Sequence, residues 1–218
     1  SPYSSLTLKI FTMLRKLFFA LSATVLSFCA QAQDTAKVVE KPKPAITGSV
    51  DAYWRYNFQN AKDQQVANNL TSFTNSHNSF ELGMASVKID HSFGKIGGVL
   101  DLGFGRRAEE FSYNDRVYSI DDNGDDVSSP TLLAAIKQAY VTYAPSDKVK
   151  FTFGKFGTHV GYELLDPQLN KNYSMSYMFS YGPFFHTGLK MDIAPSDNFS
   201  FMLGVSNPTD YSTASFEN

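Results

Sequence analysis

Residues 46–58 read ITGSVDAYWRYNF. Val50, Ala52, Trp54, Tyr56 and Phe58 fall on one parity, and Asp51, Tyr53, Arg55 and Asn57 on the other. Only an extended strand sends successive side chains to opposite faces, so this stretch predicts a strand with one apolar and one polar face.

The same period of two recurs along the chain. Residues 96–107 set Ile96, Gly98, Leu100, Leu102 and Phe104 against Asp101 and Arg107. Residues 134–144 alternate Ala139, Val141 and Tyr143 with Gln138, Tyr140 and Thr142, and residues 149–156 alternate Val149, Phe151 and Phe153 with Lys150 and Thr152. Residues 184–193 set Leu189, Met191 and Ile193 against His186, Lys190 and Asp192, and residues 199–207 carry Phe199, Phe201, Leu203 and Val205 on one face. In 79–92 the phase slips: Phe80, Leu82 and Met84 share one parity, Val87 and Ile89 the other, which predicts a bulge near Ala85. These are seven strands.

The connections alternate in length. Short turns fall near 93–95, at Pro145-Ser146-Asp147-Lys148 and at Pro195-Ser196-Asp197-Asn198, and long polar connections occupy 59–78, 108–133 and 158–183. YAPSDKVKFTFG at 143–154 is echoed by IAPSDNFSFMLG at 193–204, one hairpin and one long loop later. A soluble sandwich or small barrel would also alternate, with its apolar faces turned inward. Rings at the strand ends (Trp54, Tyr56, Phe58, Phe104, Tyr143) and the regular change from short turn to long loop favour the inverse arrangement. That is an antiparallel transmembrane β-barrel, apolar outside and polar within.

The N-terminal part has a different character. From Met13 come the basic Arg15 and Lys16, an apolar run from Leu17 to Cys29, and small Ala30 and Ala32 around Gln31. This reads as a secretory signal peptide over 13–32, cleaved after Ala32; its apolar run is too short to span a bilayer as a helix. Residues 1–12 read as translated upstream sequence, residues 33–45, with Pro42 and Pro44, as a periplasmic linker, and 46–218 as the barrel. Without Lys9, Arg15 and Lys16 the exported chain keeps 16 basic residues against 21 acidic ones, a balance that argues against a nucleic-acid partner. Its single cysteine, Cys29, lies in the leader, so no disulfide framework is expected.

Several motifs in the second half carry a resemblance. Gln138-Ala139-Tyr140, Gly154-Lys155-Phe156, Gly161-Tyr162-Glu163, Asn172-Tyr173-Ser174 and the run Pro183 to Gly188 resemble the OmpL-like beta-barrel porin family of Gram-negative outer membranes. The resemblance implies a longer, even-stranded barrel, so the seven strands are expected to be the N-terminal part of one. It also implies a location in the outer membrane. The partners then expected are outer-membrane lipid, small hydrophilic solutes and the barrel assembly machinery, with a homo-oligomer left open.

The expected function is passive diffusion of small hydrophilic solutes through a water-filled lumen. No catalytic residue, cofactor or metal is expected. On this reading Asp51, Arg55, Asp101, Arg107, Lys150, His186, Lys190 and Asp192 line the lumen, and their mixed signs predict weak ion selectivity. The connection 158–183 is rich in rings, and an inward fold would place Glu163, Asn170, Lys171, Asn172 and Tyr173 at a constriction. Lys155 shares the parity of Phe153, so the chain is expected to leave the wall at Gly154–Gly157. Asp121, Asn123 and Asp125 have the spacing that opens a calcium loop, but Gly124 is misplaced and Leu132 stands where a glutamate is needed, so 108–130 reads as a solvated acidic loop. The alternatives are a structural or adhesive barrel with a closed lumen and an outer-membrane barrel hydrolase.

Overall fold

The computed structural model describes residues 42–58, 72–121 and 123–215. The expected upstream segment, the signal peptide and all but the last residues of the linker lie outside the described residues. In chain order the elements are β1 (Ala45–Arg55), β2 (Ser79–Phe93), β3 (Ile96–Phe104), α1 (Arg106–Phe111), β4 (Arg116–Ile120), β5 (Asp126–Pro130), β6 (Ile136–Ser146), β7 (Val149–Gly157), α2 (Tyr177–Ser180), β8 (Phe185–Ser196) and β9 (Phe199–Ser206). Single 3₁₀ turns cover Leu132–Ala135 and Pro167–Leu169.

Seven strands pair in the order β1-β2-β3-β6-β7-β8-β9, every pair antiparallel, in one open sheet. The strand count agrees with the alternation. The separate β4–β5 hairpin stands inside the connection 108–133, where alternation is too short to register against the acidic composition. The repeated Ala-Pro-Ser-Asp builds two equivalent hairpin ends. Both slip register just before the turn, and the Ala144 and Ala194 amides donate to Lys95 O and Lys148 O of the preceding turn, each at 2.8 Å.

The apolar face is open to the surroundings from one edge strand to the other: Val50 and Trp54 on β1, Phe80 (88% exposed) on β2, Leu100 on β3, Val141 on β6, Phe153 on β7, Leu189 on β8 and Val205 on β9. A sandwich would have buried this face. A continuous exposed apolar band of this extent marks an interaction surface, and strands of 8–15 residues bracket the ~9–11 that a tilted strand needs to cross hydrocarbon.

Two local devices differ from the sequence expectation. The bulge in β2 lies at Gly83, not near Ala85: Asp51 pairs with Met84 and Ala52 with Leu82, leaving Gly83 as the extra residue. Phe80 and Leu82 before it and Val87 and Ile89 after it therefore share the exposed face, while Met84 turns inward and is fully buried.

The second difference concerns the cause of the parity break in β7. The chain leaves the wall at the far end of the expected span, staying paired with β8 until Gly157 meets Phe185, so Lys155 is still part of the strand. Gly154 instead takes φ +132°, opposite Gly188, and Lys155 turns to the buried side. A Cβ at Gly154 would run into the Ala139 carbonyl and Tyr140 Cα. Gly154→Ala should therefore cost about 1–3 kcal/mol or more, read as a lower temperature at which the folded, fast-migrating band is lost in a heat-modifiability gel.

Candidate functional site: the polar face and the connection that covers it

The opposite face of the sheet is not empty. The connection 158–183, α1 and residues 72–74 fold over it, and an apolar cluster fills the space between. Phe73, Met84, Phe111, Leu165, Met175, Phe179, Phe184 and Phe185 are all buried there. Within the connection, the Ser176 hydroxyl caps α2 by accepting from the Phe179 amide at 3.3 Å. Glu163 accepts from the Ser176 amide and hydroxyl, and Asn170 bonds both the amide and the carbonyl of Leu164.

Three charged clamps hold these coverings to the strands. In the first, fully buried Arg107 sets Nε 3.3 Å from Asp51 Oδ2 and donates from Nη2 to Tyr173 O at 2.9 Å. The Tyr173 hydroxyl donates to the same carboxylate at 2.9 Å, and the guanidinium carbon lies 4.7 Å from the Tyr173 ring centre. In the second, Lys137 Nζ is 2.8 Å from Asp166 Oδ1 and 3.2 Å from Asp101 Oδ1. In the third, Lys155 Nζ reaches Asp115 at 3.0 Å and Ser112 Oγ at 3.2 Å while lying 3.9 Å from the centre of the Phe185 ring. Ser212 donates to the same Asp115 carboxylate at 2.6 Å.

The expected lumen residues sort into groups. Asp51, Arg107 and Asp101 belong to the clamps; Arg107 sits on α1 and not on a strand, since β3 ends at Phe104. Lys150 and Lys190 flank Asp192 at 3.9 and 3.5 Å on a wetter part of the same face, and Arg55 donates to Thr74 O at 2.8 Å. His186 stands apart from that trio. It lies beyond Gly188, bonded to Thr158 Oγ1 at 3.2 Å and stacked on His159 at 5.1 Å between ring centres.

Of the expected constriction residues, Tyr173 touches the wall. Glu163 and Asn170 brace the connection internally, and Lys171 and Asn172 are exposed on it. The acidic connection is not simply solvated: Asp115 is buried on Lys155, and Glu110 accepts from the Phe73 amide at 2.7 Å. Asp121 has a local role, accepting at 2.9 Å from the amides of Asn123 and Asp125 at the tip of the β4–β5 hairpin, so its carboxyl stays below the usual range.

Alternation did not reveal Lys137, Asp166, Asp115 or Asp210. Lys137 sits on a register slip, with Ile136 opposite Leu102 and Gln138 opposite Asp101, and the other three lie in irregular segments. Asp210 accepts from the Phe184 and Phe185 amides at 2.6 and 3.0 Å, ordering the start of β8.

Burial, with the Asp51 carboxylate beside it, pushes the Tyr173 phenol up to about 12, against an opposing effect of Arg107. An acid whose folded pKa is raised stabilises the fold fully below its free value of 10.0 and loses that contribution as pH climbs to the folded value. The Tyr173 tether should thus persist at pH 10 and release between pH 10 and about 12. The difference in absorbance titration near 295 nm between the protein and its Tyr173→Phe variant checks this; a phenol that ionises at its free value would contradict it.

A family model described as putative beta-barrel porin-2, OmpL-like, matches residues 43–218. No curated protein and no solved structure matches the chain. The match runs over most of the sequence and all the strands, and the chain belongs to this family, whose porin character implies an outer-membrane location.

Proposed function

We propose that this porin-family chain contributes one sector of an outer-membrane barrel through which small hydrophilic solutes diffuse passively, narrowed by the connection 158–183. The observation that carries the reading is the two-faced sheet: apolar and exposed on one side, charged and covered on the other. Unpaired strand edges cannot face lipid, so β1 and β9 are closed in the membrane by further strands. Lipid surrounds the apolar band, and insertion falls to the barrel assembly machinery. The mechanism is sieving by width and fixed charge, with no covalent chemistry. Because the clamps pair cations with anions on the same face, the selectivity expected is weak.

Single-channel recording in planar bilayers, on the protein with its barrel closed, tests this. Salt-dependent steps with a reversal potential near zero in a salt gradient are the expected result. A closed, structural or adhesive barrel is the second reading, favoured by the apolar cluster under the connection; silence from a folded, heat-modifiable barrel would select it.

A further inference from the structure

A cavity of about 430 Å³ lies between the polar face of β1, β2, β3 and β6 and the underside of 163–169. That volume is within the range of small-molecule sites. The strand register builds its wall as a straight row: Thr47 opposite Lys88, Lys88 opposite Asp101, and Asp101 opposite Gln138. Beside the row Ser49 and Ser86 share a hydroxyl hydrogen bond of 2.8 Å. Gly103 leaves the space that Lys137 needs to lie along the wall, since a Cβ there would come within 2.6 Å of its Cδ. The covering connection adds Glu163, Asp166 and Gln168.

The charges decide what fits. Three carboxylates, Asp101, Glu163 and Asp166, face two amines, Lys88 and Lys137, and Lys137 is already shared by Asp101 and Asp166. An anion meets excess negative charge, and a cation meets two ammonium groups in or beside the same row. A hydroxyl suits both, because it donates to a carboxylate and accepts from an amine. A second observation points the same way: Asp101 is 4% exposed, and its Oδ1, although ion-paired, accepts no hydrogen bond. Buried acceptors are ordinarily satisfied.

We infer that this cavity is a subsite for a neutral polyhydroxylated solute of sugar size, held by the Thr47–Lys88–Asp101–Gln138 row and the carboxylates of the covering connection. The inference rests on the porin reading, for which it names the solute class.

The test is maltose and glucose added to the closed barrel, in bilayer recording and in isothermal titration on the detergent-folded protein. Saturable, maltose-dependent interruptions of the current and a matching binding heat are expected. Asp101→Asn should weaken both about tenfold, as loss of a charged acceptor does, and Gln168→Ala, on the exposed side of the connection, should weaken both without touching the Lys137 clamp. Conducting channels that ignore both sugars, or that are blocked by putrescine or gluconate in their place, would overturn the sugar subsite and leave the porin reading standing. Absence of conductance with binding heat retained would overturn the porin reading and keep the subsite.

Discussion

Deletion of residues 164–176 should raise single-channel conductance about twofold or more, since ion flow is limited where side chains narrow the path. The segment removed carries Leu165 and Met175 of the buried cluster, Asp166 of the Lys137 clamp, and Tyr173, which reaches across to Asp51. What remains on the wall is polar apart from Met84 and Phe185, so most of the freed volume fills with water. Wider steps, a flatter current–voltage relation and faster liposome swelling by larger solutes are the measurements.

Unchanged conductance in a folded deletion variant would remove the connection from the solute path. Because the deletion also exposes Phe179 and Phe184, a milder variant separates the two effects. Asp51→Asn combined with Tyr173→Phe removes the hydroxyl–carboxylate bond and the charge of the first clamp, keeps the Arg107 bond to the Tyr173 carbonyl, and leaves the cluster intact. It should produce brief openings to the larger level in place of a permanent one.

The parts of the fold that the sequence makes legible are those governed by period. Seven strands, their short turns and the echo of Ala-Pro-Ser-Asp follow from alternation and turn chemistry, because each is set within a few residues. The exceptions are positions where one residue changes the phase. At Gly83 a single extra residue reassigns Met84 from the exposed face to the core. At Gly154 a positive φ sends Lys155 inward although its parity matches Phe153. The clamps were hidden for a different reason. Arg107 and Asp51 are 56 residues apart, and Lys155 and Asp115 are 40 apart, so their pairing exists only after the sheet has formed. Asp51, Asp101 and Tyr173 were identifiable as polar-face or connection residues, but their partners were not.

The third clamp should carry the largest stability effect. Lys155 and Asp115 are each nearly inaccessible to solvent, with side chains 6% and 5% exposed, and they tie the α1–β4 segment to β7. Replacing Lys155 by Met keeps volume and contact with Phe185 but leaves the buried Asp115 carboxylate with the Ser212 hydroxyl and without its cation. Breaking one side of a buried ion pair costs about 3–5 kcal/mol, whereas replacing both partners by apolar groups of similar volume is often neutral. Lys155→Met should therefore lower stability sharply, and Lys155→Met with Asp115→Leu should recover most of it, measured as urea midpoints in lipid vesicles. Equal losses in the single and double variants would mean that the pair is held by the packing around it and holds nothing itself. Recovery in the double variant would show instead that the charge on Lys155 matters because Asp115 is buried. It would also explain why a strand whose parity points Lys155 outward spends a glycine to turn it in.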